Sequence, residues 1–321
     1  MRFQTRITDL FGIETPIIGG CMMHISGAEL VAAISNSGAL GIMASAMFPS
    51  QEEFRRAVQL TKELTQKPFG VNLSLFPALR PIDNTLYLEV ILEEGVPVVV
   101  TSGQRPPEDM LATLKDAGIK TMHKCVNVRH ALSAQKAGVD AVALFGSEGG
   151  GHIGDYGLST FILVPRAVEV LDIPVLAAGG IADGRGLAAA LALGADGVVI
   201  GTRLLVTREC PIHENLKEAL LNASELDTMP VLGSLHNSLR AWKNQAALRV
   251  AEIEAGQGDM SEILALVAGT ETKEMIKGGD VDRGVIACSQ GIGIVHEVVS
   301  VEDVISGMVV EAEEIFARYM E

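Results

Sequence analysis

A histidine that follows three consecutive glycines is the strongest candidate for chemistry in this sequence. Gly149, Gly150 and Gly151 lead directly into His152. Such a run favours neither a helix nor a packed core, so it gives up stability for a close approach of the backbone to something. An imidazole titrates near pH 6.5 and can take or give a proton at neutral pH. We interpret His152 as a catalytic acid or base, against the alternative of a loop histidine that hydrogen-bonds to backbone.

Two glycine steps, Gly179-Gly180 and Gly201-Thr202, follow short apolar runs in consecutive units of the chain. Backbone N–H groups that glycine leaves uncovered, beside a helix N-terminus, bind phosphate. The alternative for each step is a tight turn of any α/β protein. GGIADG lacks the order of the dinucleotide fingerprint, so a phosphate site that is not a dinucleotide fold is predicted.

Two polar residues interrupt apolar strands of the same region. Asn72 lies in FGVNLSL and Lys124 lies in MHKCV. A lysine that points into an apolar interior needs an anion, since burial of an unpaired ammonium is unfavourable. A phosphate, a flavin oxygen or a carboxylate such as Glu148 would satisfy Lys124, and Asn72 could equally cap a turn. Among the other histidines only His24 is expected near the site, and none shows metal-ligand spacing.

The elements that must position these residues alternate between strand and helix. Eight short apolar runs, each followed by a helical pattern, predict a closed TIM (β/α)8 barrel rather than an open sheet. Asp183 is the expected N-cap of the helix between the two glycine steps. The predicted strands are 16–20, 38–46, 69–75, 96–102, 120–126, 140–145, 174–178 and 197–200. Barrel enzymes place their chemistry at the C-terminal ends of the strands, and they hold phosphate after strands seven and eight.

The chain is predicted to divide into three parts. Residues 1–223 form the barrel, residues 224–288 form a helical excursion over the active-site face, and residues 289–321 return as a closing segment and helix. The stretch from Ser224 to about Lys277 is read as helical, with no strand signal. A structural cap with no part in substrate binding is the alternative for this excursion.

Composition excludes several classes of protein. The chain has 321 residues, 48% of them hydrophobic, and a formal net charge of −15, which argues against nucleic acid or an anionic membrane as partner. No apolar run reaches the roughly 18 residues that span a bilayer, and the start lacks a signal-peptide core, so a cytoplasmic location is expected. The four cysteines form no C-x-x-C pair, which indicates free thiols and no metal site.

Several motifs of this sequence occur together in one known family, namely PIIGGCMMHISGAELVAAISNSGALGI, GVNL, HKC, EGGGHIG, AAGGIADGRG and IGTR. Over nearly its whole length the sequence resembles this family, the FMN-dependent nitronate monooxygenases, also called 2-nitropropane dioxygenases, which includes flavin enoyl-acyl-carrier-protein reductases. The long runs that begin HKCVNVRH and ADGRGLAA are most similar to its NADH:quinone reductase branch. EGGGHIG, with a glycine where that branch has cysteine, is nearer to the enoyl reductase and monooxygenase forms.

The resemblance implies an FMN site and assigns residues to it. The phosphate would lie on Gly179, Gly180, Gly201 and Thr202, and His152 matches the family's active-site histidine. The isoalloxazine ring would touch a further set of residues, namely Gly20, Cys21, Met22, Asn72, Ser74, Lys124, Gly150 and Gly151.

The reaction implied is a flavin redox cycle. Either NAD(P)H reduces the flavin and a quinone accepts the electrons, or a nitronate reduces it and O2 reoxidises it; enoyl reduction on a carrier protein is the alternative. A non-redox isomerase or lyase that binds a phosphorylated substrate is a further alternative from a different class. A homodimer is compatible with this reading, by analogy with other barrels.

Overall fold

Eight short apolar strands pair in parallel and close into a barrel, as the alternation of strands and helices predicts. The computed structural model describes residues 3–76, 83–267 and 269–319. The first strand pairs on one side with Leu40 and Gly41 and on the other with residues 198–200, and this second pairing closes the ring. The predicted TIM-barrel fold class is confirmed. Met1 and Glu321, the ends of the predicted segments, lie outside the described residues.

The strands and helices run in the following order. The strands are β1 Ile17–Gly19, β2 Leu40–Ala44, β3 Phe69–Leu75, β4 Val98–Gly103, β5 Lys120–Cys125, β6 Ala141–Phe145, β7 Gly151–His152, β8 Val175–Ala178, β9 Gly197–Ile200, β10 Thr228–Val231 and β11 Leu239–Trp242. The helices are α1 Arg6–Phe11, α2 Ala28–Asn36, α3 Gln51–Leu64, α4 Asn84–Glu94, α5 Glu108–Asp116, α6 Val128–Ala137, α7 Thr160–Val168, α8 Gly184–Ala192, α9 Thr202–Leu205, α10 Glu214–Leu221, α11 Gln245–Glu254, α12 Met260–Val267, α13 Gly269–Gly278 and α14 Val301–Arg318. Short 3-10 turns cover Ser45–Met47, Gly233–Leu235 and Gln290–Ile294.

The barrel strands are short and apolar because both of their faces are buried. Every residue of β1, β2, β8 and β9 is buried, between the barrel interior on one side and the helices on the other. Within the described residues, no helix is long and apolar enough to cross a bilayer.

Local capping fixes the helices that flank the last strands. Asp183 accepts a hydrogen bond from the Gly186 N–H at 3.0 Å, so the predicted N-cap of α8 is confirmed. Ser300 and Asp303 form a reciprocal capping box at the start of α14. The predicted C-terminal helix therefore forms, and it packs against α8.

The prediction that residues 224–277 are helical without a strand is wrong at two places. β10 and β11 form an antiparallel pair there, and β11 also pairs with β7, so that Leu239 lies opposite His152. The signal was weak because Pro230 interrupts β10, which tolerates proline as the edge strand of this small sheet. The sheet ties the excursion to the loop that carries the candidate catalytic histidine.

His123 makes the stability of the barrel depend on pH. It lies on β5 with 3% of its surface exposed, and its Nδ1 is 2.8 Å from the Thr101 hydroxyl oxygen. Burial, and secondarily the charge of His130, lowers the pKa of His123 from 6.5 to about 4. The unfolded chain therefore binds a proton between pH 6.5 and 4 that the folded chain does not, and stability falls as the pH drops through this window.

We expect the wild-type free energy of unfolding to fall between pH 7 and pH 5, with His123 alone contributing about 2 kcal/mol of the loss. Urea unfolding at a series of pH values measures this slope. The slope of unfolding free energy against pH measures the number of protons taken up on unfolding. In His123→Gln, whose side chain does not titrate, this number should be lower by nearly one below pH 6. An unchanged slope in that variant would show that other groups cause the pH dependence.

Candidate active site

A cavity of about 500 Å³ opens at the C-terminal ends of the barrel strands. All of the site residues predicted from the sequence lie on its wall: Gly20, Cys21, Met22, Asn72, Ser74, Lys124, Gly150, Gly151, His152, Gly179, Gly180, Gly201 and Thr202. The structure thus brings these residues together around one cavity.

The first predicted phosphate cradle has a backbone that requires glycine. Gly179 has φ +111° and Gly180 has φ +71°, both in the left-handed region. A Cβ atom at Gly180 would lie 2.9 Å from the Glu148 Cγ atom. The step therefore turns the chain after β8, and both glycines line the cavity without a side chain over their backbone.

The second predicted cradle is held by a residue distant in sequence. The Thr202 hydroxyl oxygen accepts a hydrogen bond from the Ser289 N–H at 2.8 Å, across 87 positions of the chain. Thr202 itself is the first residue of the short helix α9. The contact fixes the segment around Ser289 against the end of β9, where both residues line the cavity.

The glycine run before His152 has a structural reason that the sequence did not give. A Cβ atom at Gly150 would lie 2.9 Å from backbone atoms of Cys288 and Ser289, and one at Gly149 would lie 3.2 Å from the Gly179 Cα atom. Gly151 has φ +84°. The glycine run is therefore approached by other segments of this protein. Its backbone packs against the backbone at Gly179 and at Cys288 and Ser289, at the rim of the cavity.

His152 is held as a neutral imidazole. Its ring stacks on Phe76, with the centroids 4.3 Å apart and the planes 25° from parallel. Burial, and secondarily the charge of Lys124, lowers the pKa of His152 from 6.5 to about 4. At neutral pH the ring thus carries one N–H donor and one acceptor nitrogen, and it is not an imidazolium acid.

Lys124 has no carboxylate partner within ion-pair distance among the described residues. The alternative of a salt bridge with Glu148 is not formed: Glu148 Oε1 accepts the Thr160 N–H at 2.8 Å, and its buried Oε2 has no hydrogen-bond partner among the described residues. The Lys124 Nζ atom lies 3.9 Å from the centroid of the Phe145 ring instead. Burial lowers the pKa of Lys124 to about 8, so the ammonium is still largely protonated at pH 7. A cation in such a place favours an anionic ligand.

Asn72 links two strands at the cavity wall. Its side-chain amide donates to the Val100 carbonyl at 3.2 Å and to the Ser102 hydroxyl at 3.3 Å. It therefore does not cap a turn, which was the alternative from the sequence. Ser74, two residues further along β3, accepts at its carbonyl from the Asn84 side chain at 2.8 Å.

The loop after β1 contributes a thiol and a second histidine. Burial raises the pKa of the Cys21 thiol to about 12, against the opposing effect of Lys124, so Cys21 is a neutral thiol. His24 has φ +63° and lines the cavity, as expected, and its buried Nε2 atom has no hydrogen-bond partner among the described residues. The four cysteines are free; Cys125, Cys210 and Cys288 are buried and Cys21 is partly exposed.

Sequence reasoning missed the apolar residues that close the cavity. Phe76 stacks on His152, and Leu239 comes from the small sheet. Others come from the excursion and the segment after it, namely Val267, Gly269, Thr272, Val285, Ile286, Ala287 and Ser289. The place of Leu239 on the wall depends on the pairing of β11 with β7, which has no local signal in the sequence.

The positive charge of Lys124 should influence the pKa of His152. We expect Lys124→Met to raise the pKa of His152, by about half a unit to one unit, because a neighbouring positive charge disfavours the imidazolium. NMR titration of the imidazole resonances, with His152 assigned by its loss in His152→Ala, measures the shift. Lys136→Met on α6 is the matched control and should leave this pKa unchanged. An unaltered pKa in Lys124→Met would mean that burial alone lowers it.

Comparison with known proteins places the chain among oxidoreductases. The profile of the nitronate monooxygenase family matches residues 4–87 and 79–311. The chain belongs to this family. It is 34% identical to "(3aS,4S,5R,7aS)-5-hydroxy-7a-methyl-1-oxo-octahydro-1H-indene-4-carboxyl-CoA dehydrogenase" of Rhodococcus jostii (strain RHA1), over 96% of each chain. It is also 34% identical to a probable nitronate monooxygenase of Staphylococcus aureus (strain MSSA476), over 81% of this chain and 83% of that one.

Solved structures with similar sequences have the same fold. FabK from Thermotoga maritima matches with a TM-score of 0.92 and 35% identity, over 99% of this chain and 98% of that one. Nitroalkane oxidase from Streptomyces ansochromogenes matches with a TM-score of 0.86 and 26% identity, over 98% and 100%. The resemblance seen in the motifs is confirmed, and this nitronate monooxygenase family member is an oxidoreductase of a flavin-dependent family. The family assignment favours the redox reading over a non-redox isomerase or lyase.

Proposed function

We propose that this chain is an FMN-dependent oxidoreductase that takes hydride from NAD(P)H and reduces a double bond conjugated to a carbonyl group, as in a quinone or an enoyl thioester. The observation that carries the proposal is the Lys124 ammonium, which faces a largely apolar cavity without a carboxylate partner within ion-pair distance among the described residues. Such a cation suits a cofactor that becomes negatively charged on reduction.

The residues present fit FMN. The left-handed Gly179-Gly180 step and the Gly201-Thr202 step would hold the phosphate. The cavity volume lies in the usual range for a cofactor or ligand of this size. Gly20, Cys21 and Met22 would lie along the ring, with Asn72, Ser74 and Lys124 at its polar edge and with Gly150 and Gly151 beside it. FMN, when bound, supplies the hydride-transfer chemistry.

The chain's own residues orient the substrate and exclude water. His152 is neutral and fixed by its stacking on Phe76, so its N–H can point at a substrate carbonyl oxygen without a competing imidazolium charge. Lys124 holds a positive charge at the polar edge of the site. The apolar side chains of the excursion, Val267 and Val285 among them, cover the cavity and lower the local dielectric.

The relatives support an acyl thioester as one form of this substrate. The Rhodococcus relative, whose name specifies a carboxyl-CoA compound, aligns over 96% of this chain, including the excursion. A quinone offers the same conjugated carbonyl in a smaller molecule. Both substrates would use the same hydrogen bond from His152.

Nitronate oxidation is the second candidate. The Staphylococcus relative is named a probable nitronate monooxygenase. The low pKa of His152 favours it as well, because a histidine that stays unprotonated at neutral pH is available to accept the α-proton of a nitroalkane, which becomes the nitronate. In this reaction the nitronate would be the reductant and O2 the acceptor.

Anaerobic stopped-flow spectroscopy tests the proposal. FMN-loaded protein is mixed with NADH, NADPH or propyl nitronate, and flavin bleaching is followed; the reduced protein is then mixed with 1,4-benzoquinone or crotonyl-CoA. Fast bleaching by a nicotinamide, followed by reoxidation by either acceptor, supports the proposed reductase. Bleaching by the nitronate alone would replace it with the second candidate. A cytoplasmic location and a homodimer stay predictions, the latter testable by light scattering.

A further inference from the structure

We propose that Phe145 is a positioning residue of this site: the face of its ring holds the Lys124 ammonium at the wall of the cavity and keeps the charge there before an anionic ligand arrives. The inference concerns the chain's own residues. Only its consequence for catalysis rests on the proposed function.

The geometry places the ring and the ammonium in direct contact. The Lys124 Nζ atom lies 3.9 Å from the ring centroid, well inside the roughly 6 Å range of cation–π attraction. Register brings the two together, because Lys124 pairs with Ala143 on the neighbouring strand β6, two residues before Phe145. The ring is itself placed at the end of the strand, where Phe145 pairs with Ala178.

The surroundings of Lys124 leave the ring as its main source of stabilisation. Cys21 beside it is a neutral thiol, and His152 is a neutral imidazole that the ammonium disfavours in its charged form. Glu148, the carboxylate that the sequence offered as an alternative partner, accepts the Thr160 N–H. The negative face of an aromatic ring is therefore what offsets part of the cost of desolvating this cation.

A cation held by a ring differs in function from one held by a carboxylate. A carboxylate would neutralise Lys124 and compete with the incoming anion, whereas a ring face leaves the net positive charge in place. The ammonium can then turn from the ring to an anionic ligand atom without breaking an ion pair. A purely structural role for Phe145, as a packed strand end, predicts no effect of its π electrons on Lys124.

The test measures the pKa of Lys124 in the full-length apoprotein. Lysine labelled with ¹³C is followed by NMR as the pH is varied, and the Lys124 signal is assigned by its loss in Lys124→Met. Phe145→Leu should lower the pKa from about 8 by about one unit, a tenfold loss of proton affinity, and Phe145→Tyr should keep the wild-type value. Phe69→Leu, a buried strand phenylalanine on β3, is the matched control and should change nothing at Lys124.

Fluorinated phenylalanines at position 145 remove the concern that Phe145→Leu fails to fold. They weaken the negative ring face at nearly constant shape, so the pKa of Lys124 should fall stepwise as fluorine atoms are added. A constant pKa across the fluorinated series would overturn the inference. FMN affinity, titrated by fluorescence in the same variants, should fall with the pKa. If wild-type protein binds no FMN, the proposed function fails, while the apoprotein titration still decides the role of Phe145.

Discussion

His152→Ala is expected to lower the rate constant for acceptor reduction by about 10²- to 10³-fold while leaving flavin reduction by NAD(P)H within about threefold of wild type. Loss of a preorganised donor to a substrate oxygen has this magnitude when the site excludes water. The imidazole is preorganised here by its stacking on Phe76 and by the pairing of β7 with β11. Double-mixing stopped-flow separates the two half-reactions, since the flavin is first reduced and then mixed with quinone or enoyl thioester.

The pH profile adds an independent check of the same role. Because the pKa of His152 is lowered to about 4, the neutral ring persists as the pH falls from 7 to 5, and the acceptor step should stay nearly flat over that range. A loss of rate with a midpoint near pH 6.5 would instead indicate an unperturbed histidine. His130→Ala, at an exposed histidine on α6, is the matched control and should leave both half-reactions unchanged.

Full acceptor activity in His152→Ala would remove this residue from the mechanism. Equal losses in both half-reactions would point to a disturbed flavin site, because His152 belongs to the loop that packs against Cys288 and Ser289. His152→Gln discriminates between these outcomes, since its side-chain amide keeps an N–H donor and should recover part of the acceptor rate alone.

The barrel and the position of its site could be predicted from the sequence because both depend on local patterns. Apolar runs with glycine steps at their ends mark the strands and the mouth of the barrel, and the C-terminal ends of parallel strands meet there whatever lies between them. Lys124 and Asn72 stood out as polar residues in apolar strands, and each lies on the cavity wall.

The rest depended on contacts between distant parts of the chain. The pairing of β11 with β7 was missed because β7 is a two-residue strand that contains His152, 87 positions before Leu239, and nothing in LRAW marks that pairing. The contact of Thr202 with Ser289 has no local signal either. Phe145 ends an apolar strand, so the sequence pattern predicts only a buried core residue. The pattern of residue types cannot show that Lys124, on the neighbouring strand β5, lies over its ring.

For the glycine run, the sequence predicted a close approach of the backbone but not the segment that it approaches. Gly150 signalled close backbone approach, and the structure identifies the Cys288 and Ser289 backbone as what it approaches. The sequence could show that a side chain was not tolerated, because glycine is costly elsewhere. It could not show which segment occupied the space, because that segment returns from the excursion more than 130 positions later.

Gly180→Ala is expected to weaken FMN binding by at least about tenfold. At φ +71° an alanine is strained by roughly 1–2 kcal/mol, and its Cβ atom would lie 2.9 Å from the Glu148 Cγ atom. Relief of this strain moves the amides of the cradle, which are proposed to hold the phosphate. Fluorescence titration of the apoprotein with FMN gives the dissociation constant, and riboflavin, which lacks the phosphate, should lose much less affinity than FMN.

Gly118→Ala separates backbone strain from the loss of the cradle. Gly118 has φ +74°, almost the same conformation, and a Cβ atom there would meet nothing within 4 Å. Gly118→Ala should therefore lose the stability that backbone strain costs, and Gly180→Ala should lose at least as much in urea unfolding, but only Gly180→Ala should lose FMN affinity. Equal FMN affinity in the two variants would mean that the phosphate lies elsewhere, and the Gly201-Thr202 step would then have to hold it alone. If Gly180→Ala lowers the affinities for FMN and riboflavin by the same factor, the loss does not involve the phosphate, which riboflavin lacks. The substitution would then disturb the ring pocket through Glu148.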